Sequence, residues 1–363
     1  MKILFIVPNE KLIPSSIVRV LSWQALLDSH IHAVKKFIDY ESTFVIKLGD
    51  FLANNSSCKK HFRVRKSLFR LLLLFDHVYK NFLHLQLRHS ADNYDIYFFQ
   101  WVTIPNKHLE AIIKKGTKVV YDYDDAVFIK KPEETDFMIK HADHVIAGSH
   151  FLFEYAMKLN RSAVFLPGAV DLDRFKSANI KKNRVRIGWI GSKSTAHNLD
   201  MVASPLNSMK KKGYDFEIVI AGCNPNFKIA DLSPEIKSDI IPAYQNKDIP
   251  TILSGIDIGI MPLQDSLWEK GKSGMKAILY MAASRPVVAS NVGESIYLIK
   301  NGVTGFLVNG SNEWEATLTE LLTDANLREK IGRAGRAYAE ENHSLKDYYN
   351  KLFMHVFKKY LPY

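Results

Sequence analysis

Cysteine is almost absent from this sequence. Only Cys58 and Cys223 occur among its 363 residues, and they stand far apart in the chain. A disulfide framework needs several paired cysteines, and a structural zinc site needs about four closely grouped Cys or His ligands. The sequence therefore predicts neither, and the fold must depend on its apolar core.

Long apolar runs are also lacking. The most apolar stretch, Leu71 to Phe75, is bounded by Arg70 and by Asp76 and His77, whereas a membrane-spanning helix needs about 20 apolar residues. The first residues read Met-Lys-Ile-Leu-Phe-Ile-Val-Pro, which is too short an apolar stretch for a signal peptide. We expect a buried first strand and a cytoplasmic protein.

Acidic residues are scarce between residues 59 and 88, although the whole chain carries a net charge of +11. Asp76 is the single acid there, and apolar residues recur every three or four positions, as in an amphipathic helix. Such a basic helix is attracted to an anionic membrane surface. The alternative is an ordinary helix with one face packed on the first domain. No recognised nucleic-acid-binding module occurs, so nucleic acid is not a predicted partner.

Short apolar runs that alternate with helical patterns are present throughout. Continuous apolar strands between amphipathic helices indicate parallel sheets covered on both faces, and therefore an α/β fold. The predicted strands are 3–7, 44–48, 96–99, 119–123, 145–147, 164–166, 186–190, 217–221, 256–261, 287–289 and 306–308.

A polar, basic stretch from Asp171 to Arg184 interrupts this pattern, and the run that follows it resembles the first strand of a second doubly wound sheet. We therefore predict an N-terminal domain at 1–180 and a second domain at 181–346. The last segment, 347–363, has an apolar stripe at helical spacing that another part of the protein must cover.

Two glycine- and lysine-rich turns are the best candidates for a phosphate site. One lies between Asp265 and Ser290 and leads from a buried strand into a helix predicted near Ser273; it contains Gly271, Lys272, Gly274 and Lys276. Helix starts at the carboxyl edge of a parallel sheet favour phosphate, and lysines add positive charge. An ordinary basic loop is the alternative interpretation.

The second turn follows the strand 186–190. Gly191 ends that strand, Ser192 and Lys193 follow, and Ser194 or Thr195 could cap the next helix. Alone it could be a plain capped turn. Two such turns opening one sheet favour a diphosphate ligand.

Three aspartates follow another strand. Asp122-Tyr123-Asp124 matches a short metal-binding pattern, but its surroundings do not support a metal, and we predict none. Asp124 or Asp125 could instead hydrogen-bond a substrate hydroxyl or cap a helix.

Several motifs together resemble glycosyltransferase family 4. They are Lys-Ala-Ile-Leu-Tyr-Met-Ala-Ala-Ser-Arg-Pro-Val-Val-Ala-Ser, Asn-Val-Gly-Glu and Asn-Gly-Val-Thr-Gly-Phe-Leu-Val, with Gly-Trp-Ile-Gly-Ser-Lys-Ser-Thr-Ala-His-Asn before them. The likeness is dense from about Gly188 to His343. It implies the GT-B fold, in which two Rossmann-like domains face each other across a cleft and the C-terminal helix returns to the N-terminal domain.

The resemblance also implies a metal-independent, retaining transfer from a nucleotide-diphosphate sugar to a glycan or lipid-linked acceptor, in bacterial surface polysaccharide biosynthesis. Lys193, Lys272 and Asp124 are the predicted catalytic residues. The donor-binding set adds Gly191, Ser192, Ser273, Gly274 and Lys276, and the acceptor side is assigned to Ser16, Arg19 and Asp125. The donor is a substrate, and no cofactor is expected.

The sequence departs from the family in three places. Gly271 and Leu279 stand where a pair of glutamates is usual, the usual Arg and Lys after the first strand of the second domain are out of register, and Gln100 and Trp101 replace a histidine. Two alternatives follow: a catalytically weak homologue that binds a sugar nucleotide or a partner transferase, and a nucleotide-sugar epimerase of the same architecture.

Overall fold

Two parallel β-sheets, each with six strands among the residues that the structure describes, organise the protein. The computed structural model describes residues 1–8, 18–23, 26–27, 35–39, 62–175 and 184–360. Contacts divide the chain into two compact units. Unit 1 comprises Met1–Ala147, Leu152–Phe165 and Leu352–Tyr363, and unit 2 comprises Gly148–Phe151 and Leu166–Lys351. The predicted α/β class with two parallel sheets is confirmed.

The sheet of unit 1 has the strand order β2-β1-β3-β4-β5-β6. Its strands are β1 (Ile3–Val7), β2 (Lys35–Asp39), β3 (Ile96–Gln100), β4 (Lys118–Tyr123), β5 (His144–Ala147) and β6 (Ala163–Phe165). Between residues 62 and 165, the described α-helices are α1 (Phe62–Ser90), α2 (Asn106–Ile113), α3 (Pro132–His141) and α4 (His150–Leu159). β1, β3 and β5 are buried along their whole length, as strands covered on both faces must be.

The sheet of unit 2 has the order β12-β11-β10-β7-β8-β9. Its strands are β7 (Val185–Ile190), β8 (Phe216–Ala221), β9 (Ser238–Ile241), β10 (Ile258–Met261), β11 (Val287–Ser290) and β12 (Phe306–Val308). A long 3-10 helix (Lys193–Val202) follows β7, and the α-helices are α5 (Ala203–Lys211), α6 (Ile249–Ser254), α7 (Leu267–Lys270), α8 (Met275–Ala282), α9 (Ser295–Leu298), α10 (Gly310–Thr323) and α11 (Ala325–Asn342). The chain winds outward from β7 to β9 and then returns to pair β10 with β7. The strand order therefore reverses between β7 and β10.

The last helical segment is divided between the units. Helix α12 (Leu345–Leu352) continues into a π-helical turn (Phe353–Phe357) and a 3-10 turn (Lys358–Tyr360), and from Leu352 onward the chain belongs to unit 1. The buried ring of Phe357 lies 6.3 Å from the rings of both Trp23 and Phe98, measured between centroids. Phe357, which belongs to the apolar stripe predicted in this segment, is thus covered by these two rings.

Some boundaries differ from those predicted. The longer segment of unit 2 begins at Leu166, and its first residues are bonded within unit 2: Val170 N–H donates to the His343 carbonyl and Arg336 donates to the Phe175 carbonyl. The predicted boundary between residues 180 and 181 lies outside the described residues. Strands β2 and β9 were not predicted, and the predicted strand 44–48 lies outside the described residues. Among the described helices, none has both the length and the apolar character needed to cross a membrane.

Candidate active site

The candidate site lies where the strand order of unit 2 reverses. In open parallel sheets, ligands bind at the carboxyl edge beside such a reversal, here between β7 and β10. Two connections border this point: residues 191–202, which follow β7, and residues 262–274, which lead from β10 through α7 to α8. Together with the first turn of α8, they contain every predicted donor-binding residue of this unit.

Gly191 and Lys276 bring the two connections together. A Cβ atom on Gly191 would lie 2.8 Å from Lys276 Cε and would also overlap the Trp189 ring, so only glycine fits at this point. Lys276, in the first turn of α8, holds its Nζ 5.2 Å from the centroid of the Trp189 ring, where a cation is attracted to the aromatic face. The two predicted phosphate turns therefore meet.

Lys272 lies in the connection just before α8. Its Nζ is 5.3 Å from the centroid of the Trp268 ring, and its side chain is half-buried. Ser273 is nearly buried, and Gly274 has φ 67°, a left-handed conformation that favours glycine. Helix α8 begins at Met275, two residues after the predicted start, because the chain turns at Gly274 first.

Lys193 begins the 3-10 helix that follows β7, and it is exposed. Ser192 Oγ lies 2.9 Å from Ser194 Oγ, and the Thr195 hydroxyl donates to the Ser192 carbonyl. Thr195 thus donates a hydrogen bond to a backbone carbonyl, whereas a capping residue would accept one from a backbone N–H. Lys193 pairs with no acidic side chain among the described residues, so its charge is available at the edge of the sheet.

The acceptor-side predictions fall in unit 1. Asp124, which is buried, and Asp125, which is half-buried, follow β4 at the carboxyl edge of the sheet. Trp101, after β3, has φ 63°, and its backbone N–H donates to the Asp122 carbonyl at 2.7 Å. Ser16 lies outside the described residues. The acceptor roles of these residues stay predictions.

Arg19 forms a buried two-pronged ion pair with Asp122. Its Nε donates to Oδ1 at 3.0 Å and its Nη2 to Oδ2 at 2.7 Å, and the two side chains are 1% and 0% exposed. Burial raises the pKa of Asp122 to about 6, although the Arg19 guanidinium opposes that shift. Both carboxylate oxygens of Asp122 thus accept from Arg19. Within the described ranges, no group of three or more His, Cys, Asp or Glu residues could hold a metal ion.

The part of the chain that contains the strand reversal between β7 and β10 matches a known protein family. Residues 184–324 match the family model of glycosyl transferases group 1. This part of the chain is similar to group 1 glycosyl transferases. A curated relative is an uncharacterized 41.2 kDa protein in the cps region of Klebsiella pneumoniae, 26% identical over 54% of this chain and 53% of its own length. Another is the D-inositol 3-phosphate glycosyltransferase of Paenarthrobacter aurescens, 24% identical over 62% of this chain and 56% of its own.

The matches thus span only about half the length of these curated relatives. The fold likeness extends over the whole chain. Anabaena HepE in complex with UDP has a TM-score of 0.71 at 15% identity, covering 99% of this chain and 100% of its own. The two units therefore have the GT-B fold, and the matched residues 184–324 fall in the second of its Rossmann-like units.

Sequence reasoning missed two buried polar residues of unit 2, Asn198 and Glu269. Asn198 Nδ2 donates to Glu269 Oε1 at 3.3 Å, and Asn198 Oδ1 accepts from Gln264 N–H at 3.1 Å. Asn198 therefore ties the connection after β7 to the one after β10. The spacing of Ser266 and Glu269 is that of a helix start, and Ser266 Oγ does accept from Glu269 N–H, but nothing in that spacing indicates burial.

Proposed function

We propose that this protein is a retaining glycosyltransferase that moves a sugar from a nucleoside-diphosphate sugar to a glycan or lipid-linked glycan in bacterial surface polysaccharide biosynthesis. The observation that carries the proposal is the meeting of Lys276 and Gly191 at the strand reversal, beside Lys272 and the start of α8. Positive side chains and a helix start stabilise the negative charge that grows on a departing diphosphate. HepE in complex with UDP-glucose and the relative in a cps region support this assignment.

The proposed roles follow from position and charge. Lys193 and Lys272 stabilise the leaving diphosphate, and Lys276 adds charge beside it. Backbone groups of Gly191, Ser192, Ser273 and Gly274 approach the phosphates. On the acceptor side, Asp124 is the proposed partner of the attacking hydroxyl, and Asp125 and Ser16 stay predicted acceptor residues. Arg19 instead holds Asp122 in place through its buried ion pair. A phosphate oxygen of the donor helps to remove the acceptor proton, so the new bond forms on the face that the diphosphate leaves.

Release of nucleoside diphosphate tests this proposal. A panel of nucleotide sugars is incubated with the protein, and nucleoside diphosphate and free sugar are measured over time, because a transferase slowly passes its sugar to water when no acceptor is present. Gly271 and Leu279, in place of the usual glutamates, favour a catalytically weak homologue as the second candidate. Binding without release would support that candidate, and release of an epimerised sugar would point to an epimerase.

We predict that the transfer needs no divalent metal. The lysines at the strand reversal supply the positive charge that a metal ion would otherwise bring to the diphosphate. Turnover is therefore expected to stay unchanged after treatment with EDTA. Loss of turnover that Mg²⁺ or Mn²⁺ restores would contradict this expectation.

We also propose that helix α1 places the protein on the inner face of the cell membrane. Leu72, Leu83 and Leu87 are buried, but a second apolar row on this helix is exposed, formed by Leu71, Leu74, Phe75, Val78, Phe82 and Leu85. The segment 59–88 contains eight Lys and Arg residues and the single acid Asp76. An exposed apolar row within a basic segment is the pattern of a helix that lies in an anionic bilayer surface.

Vesicle co-sedimentation tests this second proposal. The protein is expected to bind vesicles containing phosphatidylglycerol more strongly than vesicles of phosphatidylcholine alone. The double substitution Phe75→Ser/Phe82→Ser should lower the partition coefficient at least about tenfold, because each buried phenylalanine contributes ~1.5–3 kcal/mol. The control is Ile129→Ser/Val303→Ser, which removes exposed apolar residues elsewhere. Equal binding by both double variants would overturn the assignment of α1.

A further inference from the structure

The carboxylate of Glu269 has one oxygen without a hydrogen-bond donor. Glu269 is 3% exposed, Oε1 accepts from Asn198 Nδ2, and Oε2 receives no hydrogen bond from any described residue. Buried carboxylates in folded proteins are normally paired or fully hydrogen-bonded, since an unsatisfied charged oxygen is costly. An Oε2 atom without a hydrogen-bond donor is therefore unusual for a buried carboxylate.

Glu269 lies beside the strand reversal of unit 2. It belongs to α7, in the connection that follows β10, and Asn198 belongs to the 3-10 helix that follows β7. These are the two connections that border the strand reversal, where a ligand of this sheet would bind. The carboxylate thus stands at the candidate donor site, three residues before Lys272 in the same connection.

We propose that Glu269 binds the donor, with Oε2 accepting a hydrogen bond from a hydroxyl group of the nucleoside-diphosphate sugar. This inference rests on the proposed function. A carboxylate accepts hydrogen bonds only, and it repels phosphate, so the groups of such a donor that suit it are the hydroxyls of the ribose and of the transferred sugar. A hydroxyl donor would satisfy the oxygen that the protein leaves unpaired.

The neighbours of Glu269 hold one of its carboxylate oxygens in place. Asn198, which is 1% exposed, is anchored through Oδ1 to Gln264 N–H and fixes Oε1 through Nδ2. The His197 Nε2 atom lies 4.0 Å from Oε1, beyond hydrogen-bond distance, and its side chain is 52% exposed. His197 therefore does not hold either carboxylate oxygen by a hydrogen bond.

Binding measurements on Glu269→Gln test the assignment. Titration calorimetry first finds which of UDP, GDP, ADP, CDP and dTDP the unsubstituted protein binds most tightly, and then which glucose, galactose or N-acetylglucosamine derivative of that nucleotide it binds. Glutamine keeps the size of the side chain and an oxygen for Asn198, but its amide cannot replace the second carboxylate oxygen as acceptor. The control is Asp265→Asn, an exposed carboxylate of the same connection that pairs with Lys270.

We expect Glu269→Gln to weaken binding by about tenfold to a hundredfold, the range that one hydrogen bond to a charged group supplies, while Asp265→Asn changes it little. Weaker binding of the nucleoside diphosphate itself assigns the hydroxyl to the ribose, and a loss confined to the nucleotide sugar assigns it to the sugar. If the glutamine variant does not fold, Glu269→Asp, which withdraws the carboxylate by one methylene, gives the same comparison.

Equal affinity of the folded variant and the unsubstituted protein for both ligands would overturn the inference and leave the proposed function intact. Absence of binding by the unsubstituted protein to every nucleotide would overturn both.

Discussion

Substitution of Lys272 by alanine is expected to lower turnover by about tenfold to a thousandfold. The half-buried side chain lies before the first turn of α8, with Nζ over the Trp268 ring, at the reversal where the diphosphate would bind. Removal of one preorganised group that stabilises charge in a transition state typically costs about a hundredfold to a thousandfold. The measurement is the steady-state rate of sugar transfer, or of donor hydrolysis where no acceptor is known.

Lys270 provides the control for this substitution. It lies in the same connection, but its Nζ pairs with Asp265 Oδ1 at 2.7 Å, so its charge is already engaged. Lys270→Ala should therefore change turnover by less than about threefold, within the effect of a surface ion pair. Unchanged turnover in a folded Lys272→Ala protein would remove Lys272 from the mechanism.

Substitution of Phe357 by alanine is expected to destabilise the protein by about 3–5 kcal/mol, the usual cost of removing a buried aromatic ring. The ring is fully buried in unit 1, against Trp23 and Phe98. Urea denaturation followed by tryptophan fluorescence measures the free energy of unfolding. Deletion of residues 347–363 should have a larger effect, because it uncovers Trp23 and the neighbouring strands, and we expect loss of soluble protein as well as of activity.

Met354 is the matched control in the same π-helical turn. Its side chain is 52% exposed, so Met354→Ala should change the free energy of unfolding by no more than about 0.5 kcal/mol. A soluble, fully active protein without residues 347–363 would contradict this account of the terminal segment.

The central strands could be predicted from sequence, whereas two of the edge strands, β2 and β9, could not. β1, β3, β5 and β10 are buried on both faces, which requires the continuous apolar runs that the sequence displays. β9 is exposed or half-buried at an edge of its sheet, and its residues Ser-Asp-Ile-Ile do not need such a run. β2, with the sequence Lys-Lys-Phe-Ile-Asp, likewise ends the described sheet of unit 1.

The candidate site was predictable to a similar extent. Glycines and lysines of the two turns carry a local signal, because a close backbone approach requires glycine and a phosphate attracts positive charge. The tie between Asn198 and Glu269 has no local signal, since the two residues are distant in sequence and meet only when β10 pairs beside β7. The sequence after β7 likewise did not predict a 3-10 helix as long as Lys193–Val202.

Unit 1 can be completed only after unit 2 has been synthesised. Leu352–Tyr363 completes this unit, yet it leaves the ribosome after all of unit 2. At ~5–20 residues per second, the residues between Phe165 and Leu352 take roughly 10–40 s to translate, and domains generally fold as they emerge. During this time the rings of Trp23 and Phe98 lack their contact with Phe357, while unit 2 is already able to fold. We expect the released fragment 1–351 to contain a folded second unit and an incomplete first one, which a chaperone would recognise by these exposed rings.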